Sequence, residues 1–426
     1  MIRTKPIILM ALFFVALVGA ARADGFAINE QGARAMAQAG AFAARASDPS
    51  ALFFNPAGIT QLEGIQFYTG GTAIKQKSTW DGPGVSVDSN DKWELPPHFF
   101  MTTPLGDRFH LGVGLYAPYG LSKRWPDSFP GKYSSQLVNL QVLCLNPVLA
   151  VKVNDRFSVG FGFDIVRAMA RLDRALYLQG LSNQIFGGYP LDDGYFSADV
   201  KDTHYGFNAG VQWKITDRLS FGASYRSQVR LKLEGRLDLT TPVTGVSAID
   251  AQLAALFPDQ DCETRVTLPD QAWFGLGGKL TDWWDTEVDA QWIHWTDYDE
   301  LPFYFDQQTA VIRNTVIPKN WGNGWAIRWG HEFHLDKHHD IRAGFYVDGA
   351  PNPDATLDPM LPDSTRLSFQ GGYGWHKGPW TVDFAYMFLH FIKRDINTNP
   401  AYGIVPNTGS YRSHGHLIGL SMGYRF

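Results

Sequence analysis

Histidines near residues 331–340 are the first candidates for metal or acid–base chemistry. The stretch HEFH at 331–334 lacks the H-E-x-x-H spacing that places two ligands on one helix face. His338-His339-Asp340 follows it and has the composition of a polar turn. The chain contains neither a G-x-S-x-G nucleophile motif nor a Walker loop. The sequence therefore predicts no enzyme, no cofactor and no metal site. A serine and a histidine on neighbouring strands, as in a barrel phospholipase, are the enzymatic alternative.

Two cysteines, Cys144 and Cys262, are the remaining candidates for redox chemistry. Cys144 lies in a segment with strand periodicity, whereas Cys262 lies in a long polar stretch. A disulfide could form in an oxidising compartment. The different settings of the two residues favour two separate thiols.

The first 23 residues have the organisation of a secretory signal. Arg3 and Lys5 precede an apolar run over 7–18, and Ala21-Arg22-Ala23 forms an A-x-A cleavage pattern. The apolar run is shorter than the roughly 20 residues of a membrane-spanning helix. We therefore expect residues 1–23 to be a signal peptide that directs export.

Charge and composition favour a membrane barrel. The formal net charge is −5 at pH 7, and loss of the three basic residues of the leader makes it more negative, which argues against a nucleic-acid partner. Charged residues make up 19% of the chain, below the roughly 25% of soluble domains. Aromatic residues reach 14% and there are 43 glycines, a combination typical of strands that face lipid.

Long segments alternate apolar and polar residues with period two, as β-strands do. In FSVGFGFDIV, Phe157, Phe161 and Phe163 share one face with their apolar neighbours. Similar segments run for 10 to 16 residues, whereas strands of soluble sandwiches average about five or six. Strands of this length are typical of a wall that crosses a membrane.

The connections between these segments alternate between short and long. Six short turns alternate with seven longer polar or Pro/Gly-rich stretches. The chain is therefore predicted to be all-β, a 14-stranded antiparallel transmembrane β-barrel over residues 64–426 with its short turns in the periplasm. The short turns lie near 105–108, 154–156, 216–218, 281–283, 336–339 and 377–379, and the long loops near 77–91, 122–132, 178–199, 241–262, 299–318, 350–364 and 394–410.

Aromatic residues mark the ends of several predicted strands. The last segment, HLIGLSMGYRF, alternates up to a terminal Phe426, and such an ending resembles the signal read by the outer-membrane assembly machinery. Trp283, Trp284, Trp292 and Trp295 lie on one strand and its turn, and we interpret them as an interfacial girdle, with stacking against a ligand as the alternative.

Residues 24–63 do not follow the strand pattern. An Ala-rich stretch precedes SDPSALFFNPAGIT, in which Asp48 is a good N-cap and Pro49 occupies a first helical position. Asn55-Pro56 should end this helix, because proline disfavours helix in the residue before it. A segment this short cannot bury enough surface to fold alone. We therefore predict a small helical plug inside the lumen, which a barrel of this size would otherwise leave open.

Prolines interrupt two neighbouring strands. Pro118 lies within the third strand and Pro96-Pro97 within the second, although proline cannot donate a hydrogen bond to a sheet. With the turn centred near Gly106, Pro96 should face residue 116. The cluster predicts either an opening in the wall or a simple bulge near the rim.

The chain resembles the FadL/TodX family of outer-membrane transporters of hydrophobic compounds. The resemblance rests on DGFAINEQGARAMAQAGAFAARASDPSALFFNPAGI at the amino terminus, on YGL at 119–121, and on segments at 157–172, 206–213, 224–235 and 268–273. It implies 14 strands, a plug that moves during transport, and a kinked third strand that opens the wall sideways.

The resemblance also implies roles for individual residues. Gly120 matches the glycine at the kink of the third strand, beside Pro118. Asn55-Pro56-Ala57 matches the hinge of the plug, and Phe26 matches a residue of the binding pocket. Arg174 matches an arginine that binds the substrate carboxylate. It lies an odd number of residues after the outward-facing Phe157, which places it on the inward side of a regular strand. A second basic residue of that site aligns with Ile317, with Lys319 and Arg313 nearby. Because an isoleucine occupies the position of this basic residue, a neutral aromatic substrate is an alternative to a fatty acid.

These observations lead to a functional hypothesis with named alternatives. We expect a monomeric outer-membrane channel that takes up hydrophobic molecules passively, long-chain fatty acids first and monoaromatic hydrocarbons second, and releases them into the lipid of the outer membrane. No inner-membrane coupling box is apparent near the amino terminus. A general porin would need an open lumen and gives no reason for a plug. A structural or receptor barrel would place its function in the loops alone.

Overall fold

The computed structural model describes residues 25–396 and 408–426, and the predicted signal peptide lies outside the described residues. The chain forms a closed antiparallel barrel of 14 strands, as the alternating connections predict. The first strand pairs with the last from Gln66–Arg425 to Asp81–Ser410, which closes the barrel. In chain order the strands comprise Gln66–Gly82; Pro97–Leu105; Phe109–Arg124; Leu137–Lys152; Phe157–Leu176; Gly194–Lys214; Leu219–Arg226 with Val229–Thr240; Gln260–Leu268 with Gln271–Thr281; Trp284–Ile293 with Glu300–Phe305; Thr315–Pro318 with Gly324–His334; His339–Asp348; Arg366–Lys377; Trp380–Phe391; and Gly409–Arg425.

The two faces of the wall reverse the usual distribution of apolar and polar residues. In the fifth strand Phe161 is 54% exposed on the outside, whereas Asp164 is 2% exposed on the inside. Ile418, Leu420 and Met422 likewise face outward on the last strand. Apolar side chains on the outer face are stable only against lipid, so the alternation follows from the membrane environment.

Short turns lie at one end of the barrel and longer connections at the other. Both ends of the barrel domain lie at the short-turn end, which we take as periplasmic. The other end carries Val85–Asp88 and Arg394–Ile396 as short strand extensions, the helices Leu178–Ile185 and Ser247–Leu256, and the 3-10 turns Pro130–Tyr133, Trp295–Asp297 and Asp354–Thr356. Within the described part of the chain, no helix is long and apolar enough to cross a membrane.

The amino-terminal segment lies inside the barrel, where it packs against most of the wall. It contains the helices Ala33–Met36 and Ala51–Phe54 and the 3-10 helix Pro56–Gln61. The second helix begins at Ala51 with Ser50 as its N-cap, so the prediction of Asp48 as N-cap is wrong; Asp48 instead accepts a 2.8 Å hydrogen bond from the amide of Ser50 in the turn before the helix. That helix ends at Phe54, as Asn55-Pro56 predicts, because Asn55 is extended.

Buried carboxylates of the wall hold this segment in place. Asp289 accepts hydrogen bonds from the amides of Phe42 and Ala43, and Glu287 accepts them from Ala44 and Arg45. Buried charges are stable only when they are paired and hydrogen-bonded, so these contacts account for acidic residues inside the lumen. Glu332, fully buried, binds three arginines, namely Arg34, Arg45 and Arg342.

The structure also settles two expectations about single residues. Cys144 and Cys262 are separate, buried thiols. Trp283, Trp284 and Trp292 lie on the outer side of the wall. The predicted girdle role is wrong for Trp295, because its side chain is fully buried in the lumen. Trp295 begins a 3-10 turn where the ninth strand is interrupted, so it no longer follows the alternation of that strand.

Candidate functional site

The second and third strands separate partway up the wall. Their pairing runs from Leu105–Phe109 at the turn to His98–Tyr116, where it ends. Pro96 was predicted to face residue 116, and this register is wrong by two residues. The turn is centred on Asp107 and not on Gly106, and moving the centre of a hairpin by one residue changes every pair by two.

The third strand is also irregular towards its other neighbour. Tyr116 pairs with Cys144 and Tyr119 with Val142, so Ala117 and Pro118 oppose a single residue in a bulge. Proline has no amide hydrogen, and a bulge is a position in a sheet where it is tolerated. Pro118 therefore lies where the third strand bends and has already left the second strand.

The amino-terminal segment hydrogen-bonds to the edge of the third strand that is left free. The amide of Ile28 donates to Pro118 O at 2.9 Å, and the amide of Gly120 donates to Phe26 O at 3.0 Å. Ala27 and Tyr119 form the bridge between them. A Cβ atom on Gly120 would lie 2.7 Å from Ile28 Cδ1, so a larger residue there would require the Ile28 side chain to move. Phe26, Pro118 and Gly120, three of the residues singled out in the sequence, are thus in direct contact.

A cavity of about 350 Å³ lies at this separation. Leu140, Leu389 and Leu417 line it from the lumen, whereas Leu143 and Met169 belong to the outward face of the wall. The remaining rim includes Pro96, Pro97, Ala117 and Gly120. The cavity is therefore bounded by residues from both faces of the wall, and its lining is largely apolar.

A buried ion pair closes the separation on its extracellular side. Lys123 Nζ lies 2.6 Å from Asp91 Oδ2 and donates to Ser78 of the first strand. Asp91 Oδ1 accepts a 2.8 Å hydrogen bond from the amide of Arg124. These contacts join the third strand to the loop before the second strand, at a height where the two strands share no ladder.

Phe26 lies in an aromatic cage in the lumen. Its ring contacts Trp295 at 4.7 Å between centroids, Tyr298 and Trp321 at 5.9 Å, and Tyr119 at 6.1 Å. Gly25 has φ +50°, and a Cβ atom there would lie 2.6 Å from Trp321 and 2.7 Å from Trp295. The Gly25-Phe26 pair is therefore required by the cage, both for its backbone conformation and for the space beside it.

A second, apolar cavity of about 90 Å³ lies between this cage and the strands next to it. Phe26, Leu172 and Ala198 contribute to its lining. Lys319 also lines it but forms an ion pair with Asp358. Burial is the largest influence and lowers the pKa of Lys319, but the attraction and hydrogen bond of Asp358 together with the nearby Tyr298 outweigh it, so the pKa lies above its ordinary value.

Arg174 lies on the inward face of the fifth strand, two residues beyond Leu172. Its guanidinium stacks over the ring of Phe196 at 4.7 Å, and its Nε atom has no hydrogen-bond partner among the described residues. It also forms no salt bridge with any described carboxylate. A cation in this setting is electrostatically suited to an incoming anion.

Asn55, Pro56 and Ala57 are held against the opposite wall. Asn55 Nδ2 donates to Ala43 O at 2.7 Å and to Val211 O at 2.9 Å, and Oδ1 accepts from the amide of Ala57. A Cβ atom on Gly160 would lie 2.5 Å from Pro56, so the chain also contacts the wall closely there. In this conformation the three residues form a rigid turn.

Sequence reasoning missed Tyr298, Trp321 and Asp91 and assigned Trp295 to the membrane interface. Trp295, Tyr298 and Trp321 form most of the cage, and Asp91 pairs with Lys123 across the separation. The dense aromatic residues between positions 292 and 321 were the only signal for the cage. Nothing local in the sequence links Asp91 to Lys123.

Comparison with known proteins places this geometry in a family. Residues 14–426 match the family model described as outer membrane protein transport protein (OMPP1/FadL/TodX). An outer membrane protein of Neisseria meningitidis serogroup B is 26% identical, with 99% of this chain and 98% of that protein covered. The long-chain fatty acid transport protein of Salmonella typhi is 23% identical, with 88% and 89% covered.

A solved structure shares the fold. The crystal structure of a Pseudomonas aeruginosa FadL homologue superposes with a TM-score of 0.80 at 24% identity, covering 95% of this chain and all of that one. Proteins of this family are transport channels and not enzymes. The family match spans nearly the whole chain, and the chain therefore belongs to the FadL/TodX family of outer-membrane transporters of hydrophobic compounds.

Proposed function

We propose that this protein takes up long-chain fatty acids passively and releases them sideways into the outer membrane between its second and third strands. The cavity at the strand separation carries the lateral part of this proposal, because it is lined from both faces of the wall. A hydrophobic molecule gains nothing from a water-filled exit, whereas an apolar route into lipid keeps it out of water throughout. The amino-terminal residues at Phe26 and Ile28 act as the gate.

Movement of the gate is the step that this route requires. Residues 26–28 are attached to the third strand by two backbone hydrogen bonds and line the cavity. The rest of the segment is anchored by buried carboxylates and by Asn55. Entry of an acyl chain at the cage around Phe26 therefore displaces residues 25–28 first, while Asn55, Pro56 and Ala57 form the hinge that limits the movement.

Arg174 supplies the preference for a carboxylate. Arg174 lies two residues from Leu172 of the second cavity, and no carboxylate partner is described for it, whereas Lys319 is neutralised by Asp358. A fatty acid would place its carboxylate at Arg174 and its chain along Leu172 and Phe26. The alternative substrate is a monoaromatic hydrocarbon, which the aromatic cage would accommodate without any use of Arg174.

The experiment compares uptake of labelled oleate and labelled toluene in cells that lack their own channel for hydrophobic compounds. The wild-type protein is compared with Arg174→Ala and with the matched control Arg167→Ala, an arginine on the outward face of the same strand that donates a hydrogen bond to Thr203. We expect oleate uptake to fall at least tenfold in Arg174→Ala and to stay unchanged in Arg167→Ala.

Other outcomes would change the assignment. Toluene uptake that is indifferent to both variants, without oleate uptake, would assign the protein to monoaromatic hydrocarbons. Uptake of neither compound by a correctly assembled barrel would contradict the proposal.

A further inference from the structure

Gln31 connects the gate residues 26–28 to the bulge of the third strand. The residue is buried in the lumen, with 1% of its surface exposed. Its Nε2 group donates to Ala117 O at 2.7 Å and to Ile28 O at 3.2 Å. One side-chain amide therefore binds a carbonyl of the wall and a carbonyl of the gate at the same time.

Both carbonyl groups of the bulge have a donor in the amino-terminal segment. Pro118 O accepts from the backbone amide of Ile28, and Ala117 O accepts from Gln31. The first bond is lost when Ile28 moves, whereas the second comes from a side chain that lies outside the gate. A bulge takes strand residues out of the regular ladder, so replacement of Gln31 would leave Ala117 O without this donor.

The amino-terminal segment is anchored differently on the two sides of Gly32. After this glycine, the amide of Ala33 donates to Ser421 Oγ at 2.9 Å, and Arg34 forms an ion pair with the buried Glu332. Before it, the gate is attached to the third strand by two backbone hydrogen bonds. Gly32 has φ +104°, a conformation that residues with a side chain rarely adopt, so a glycine is needed where the chain turns from one part to the other.

We propose that Gln31 is a positioning residue that holds the gate closed, and that Gly32 is the joint between the gate and the anchored part of the segment. The proposal rests on the proposed function, because a gate that moves needs a contact that keeps it closed without substrate. Opening breaks the backbone bonds of the gate and the bond from Gln31 to Ile28 O. The turn at residues 55–57 limits the movement of the larger segment, whereas the backbone freedom of Gly32 confines the first movement to residues 25–31.

Removal of this side-chain amide should make opening easier. Methionine is close to glutamine in length and volume but donates no hydrogen bond, so Gln31→Met removes both bonds and keeps the packing. A net hydrogen bond contributes about 1 kcal/mol, which corresponds to about fivefold in the equilibrium between the closed and the open gate. General damage to the plug or the barrel would lower oleate uptake, whereas a gate that opens more often raises it.

The test is hydrogen–deuterium exchange of the detergent-solubilised protein, combined with oleate uptake by cells that express it. In Gln31→Met we expect about fivefold faster exchange of the peptides that cover residues 25–31 and 117–121, which contain the two amides that join the gate to the wall. Oleate uptake should rise by a similar factor. Exchange over residues 42–45, whose amides donate to carboxylates of the ninth strand, should stay unchanged.

The matched control is Gln61→Met, at a second glutamine of the amino-terminal segment. Gln61 Nε2 also donates to two carbonyl groups, Arg45 O at 2.6 Å and Ala46 O at 2.9 Å, but both belong to the plug itself. This variant should show the exchange of the wild type at residues 25–31 and the oleate uptake of the wild type. Folding of each variant is checked by its heat-modifiable migration on gels.

Unchanged exchange at residues 25–31 in a folded Gln31→Met barrel would overturn the proposal, and so would equally faster exchange over residues 42–45, which would indicate general loosening. If Gln31→Met does not assemble, the wild type alone tests the joint, because residues 25–31 should exchange faster than residues 33–46. Equal protection on both sides of Gly32 would contradict it. The expected exchange result without oleate uptake by the wild type would support the role of Gln31 and contradict the proposed function instead.

Discussion

The amide of Ile28 donates a 2.9 Å hydrogen bond to the carbonyl oxygen of Pro118, so the amino-terminal segment takes the place of a missing strand in the barrel wall. Below this level the third strand pairs with the second strand, and above it the third strand pairs with residues 26–28. A closed barrel has no free edges. The free edge at Pro118 is therefore protected only as long as the amino-terminal residues stay in place.

Locking this contact should stop transport. Ala27 and Tyr119 are opposite each other without bonding directly, a pairing that brings Cα atoms to about 4.5 Å, within the range of a disulfide. In a background with both native cysteines replaced, Ala27→Cys/Tyr119→Cys should lose most of its oleate uptake under oxidising conditions and regain it with reductant. Ala27→Cys alone is the control. Equal uptake before and after reduction of a fully formed crosslink would rule out movement of residues 26–28.

The aromatic cage should reject a larger residue before Phe26. Gly25→Ala adds a Cβ atom 2.6 Å from Trp321 at φ +50°, so it combines a clash with backbone strain of about 1–2 kcal/mol. The control Gly378→Ala has φ +61° with open space around it and tests the strain alone. We expect Gly25→Ala to shift tryptophan fluorescence and to weaken oleate binding several-fold, with little effect in the control. Identical behaviour of the two variants would mean that the cage does not restrict residue 25.

The ion pair above the opening should be important for stability. Lys123 and Asp91 are 1% and 7% exposed, so Lys123→Met leaves an unpaired buried carboxylate at a cost of about 3–5 kcal/mol. The double variant Asp91→Leu/Lys123→Met should recover much of this loss, because it removes both charges. The exposed pair Lys77–Asp88 serves as the control and should contribute about 0–1 kcal/mol. Urea unfolding of the barrel measures all of these differences, and equal losses in the buried and exposed pairs would contradict the prediction.

Removal of an anchor should loosen the segment inside the lumen. Glu287 accepts hydrogen bonds from the amides of Ala44 and Arg45 and from the Arg45 side chain. Glu287→Ala leaves Arg45 with fewer partners in a buried position, and we expect a loss of about 3–5 kcal/mol together with higher ion conductance in planar bilayers. Asp282→Ala, at an exposed turn pair with Arg218, should change neither quantity. Unchanged conductance in a folded Glu287→Ala barrel would show that this anchor is dispensable.

The barrel follows from local properties of the sequence. Alternation places Phe161 and Leu420 outside and Asp164 inside, and this pattern depends only on the geometry of a strand and on its surroundings of lipid and lumen. Turn residues mark where each strand ends, so the strand count was also available without any long-range information. The end of the helix before Asn55-Pro56 could be predicted for the same reason, whereas its start was predicted too early, because the N-cap is Ser50 and not Asp48.

The candidate site depends on contacts that no local pattern contains. Ile28 meets Pro118, Asp91 meets Lys123, and Phe26 meets Trp295 only because the closed barrel brings together residues from distant parts of the chain. A shift of one residue at the Asp107 turn was enough to misplace the partner of Pro96. Composition, period and turn spacing thus determined the barrel, whereas the separation in the wall and the position of residues 26–28 beside it were decided by tertiary structure, since register and lumen packing are properties of the whole closed sheet.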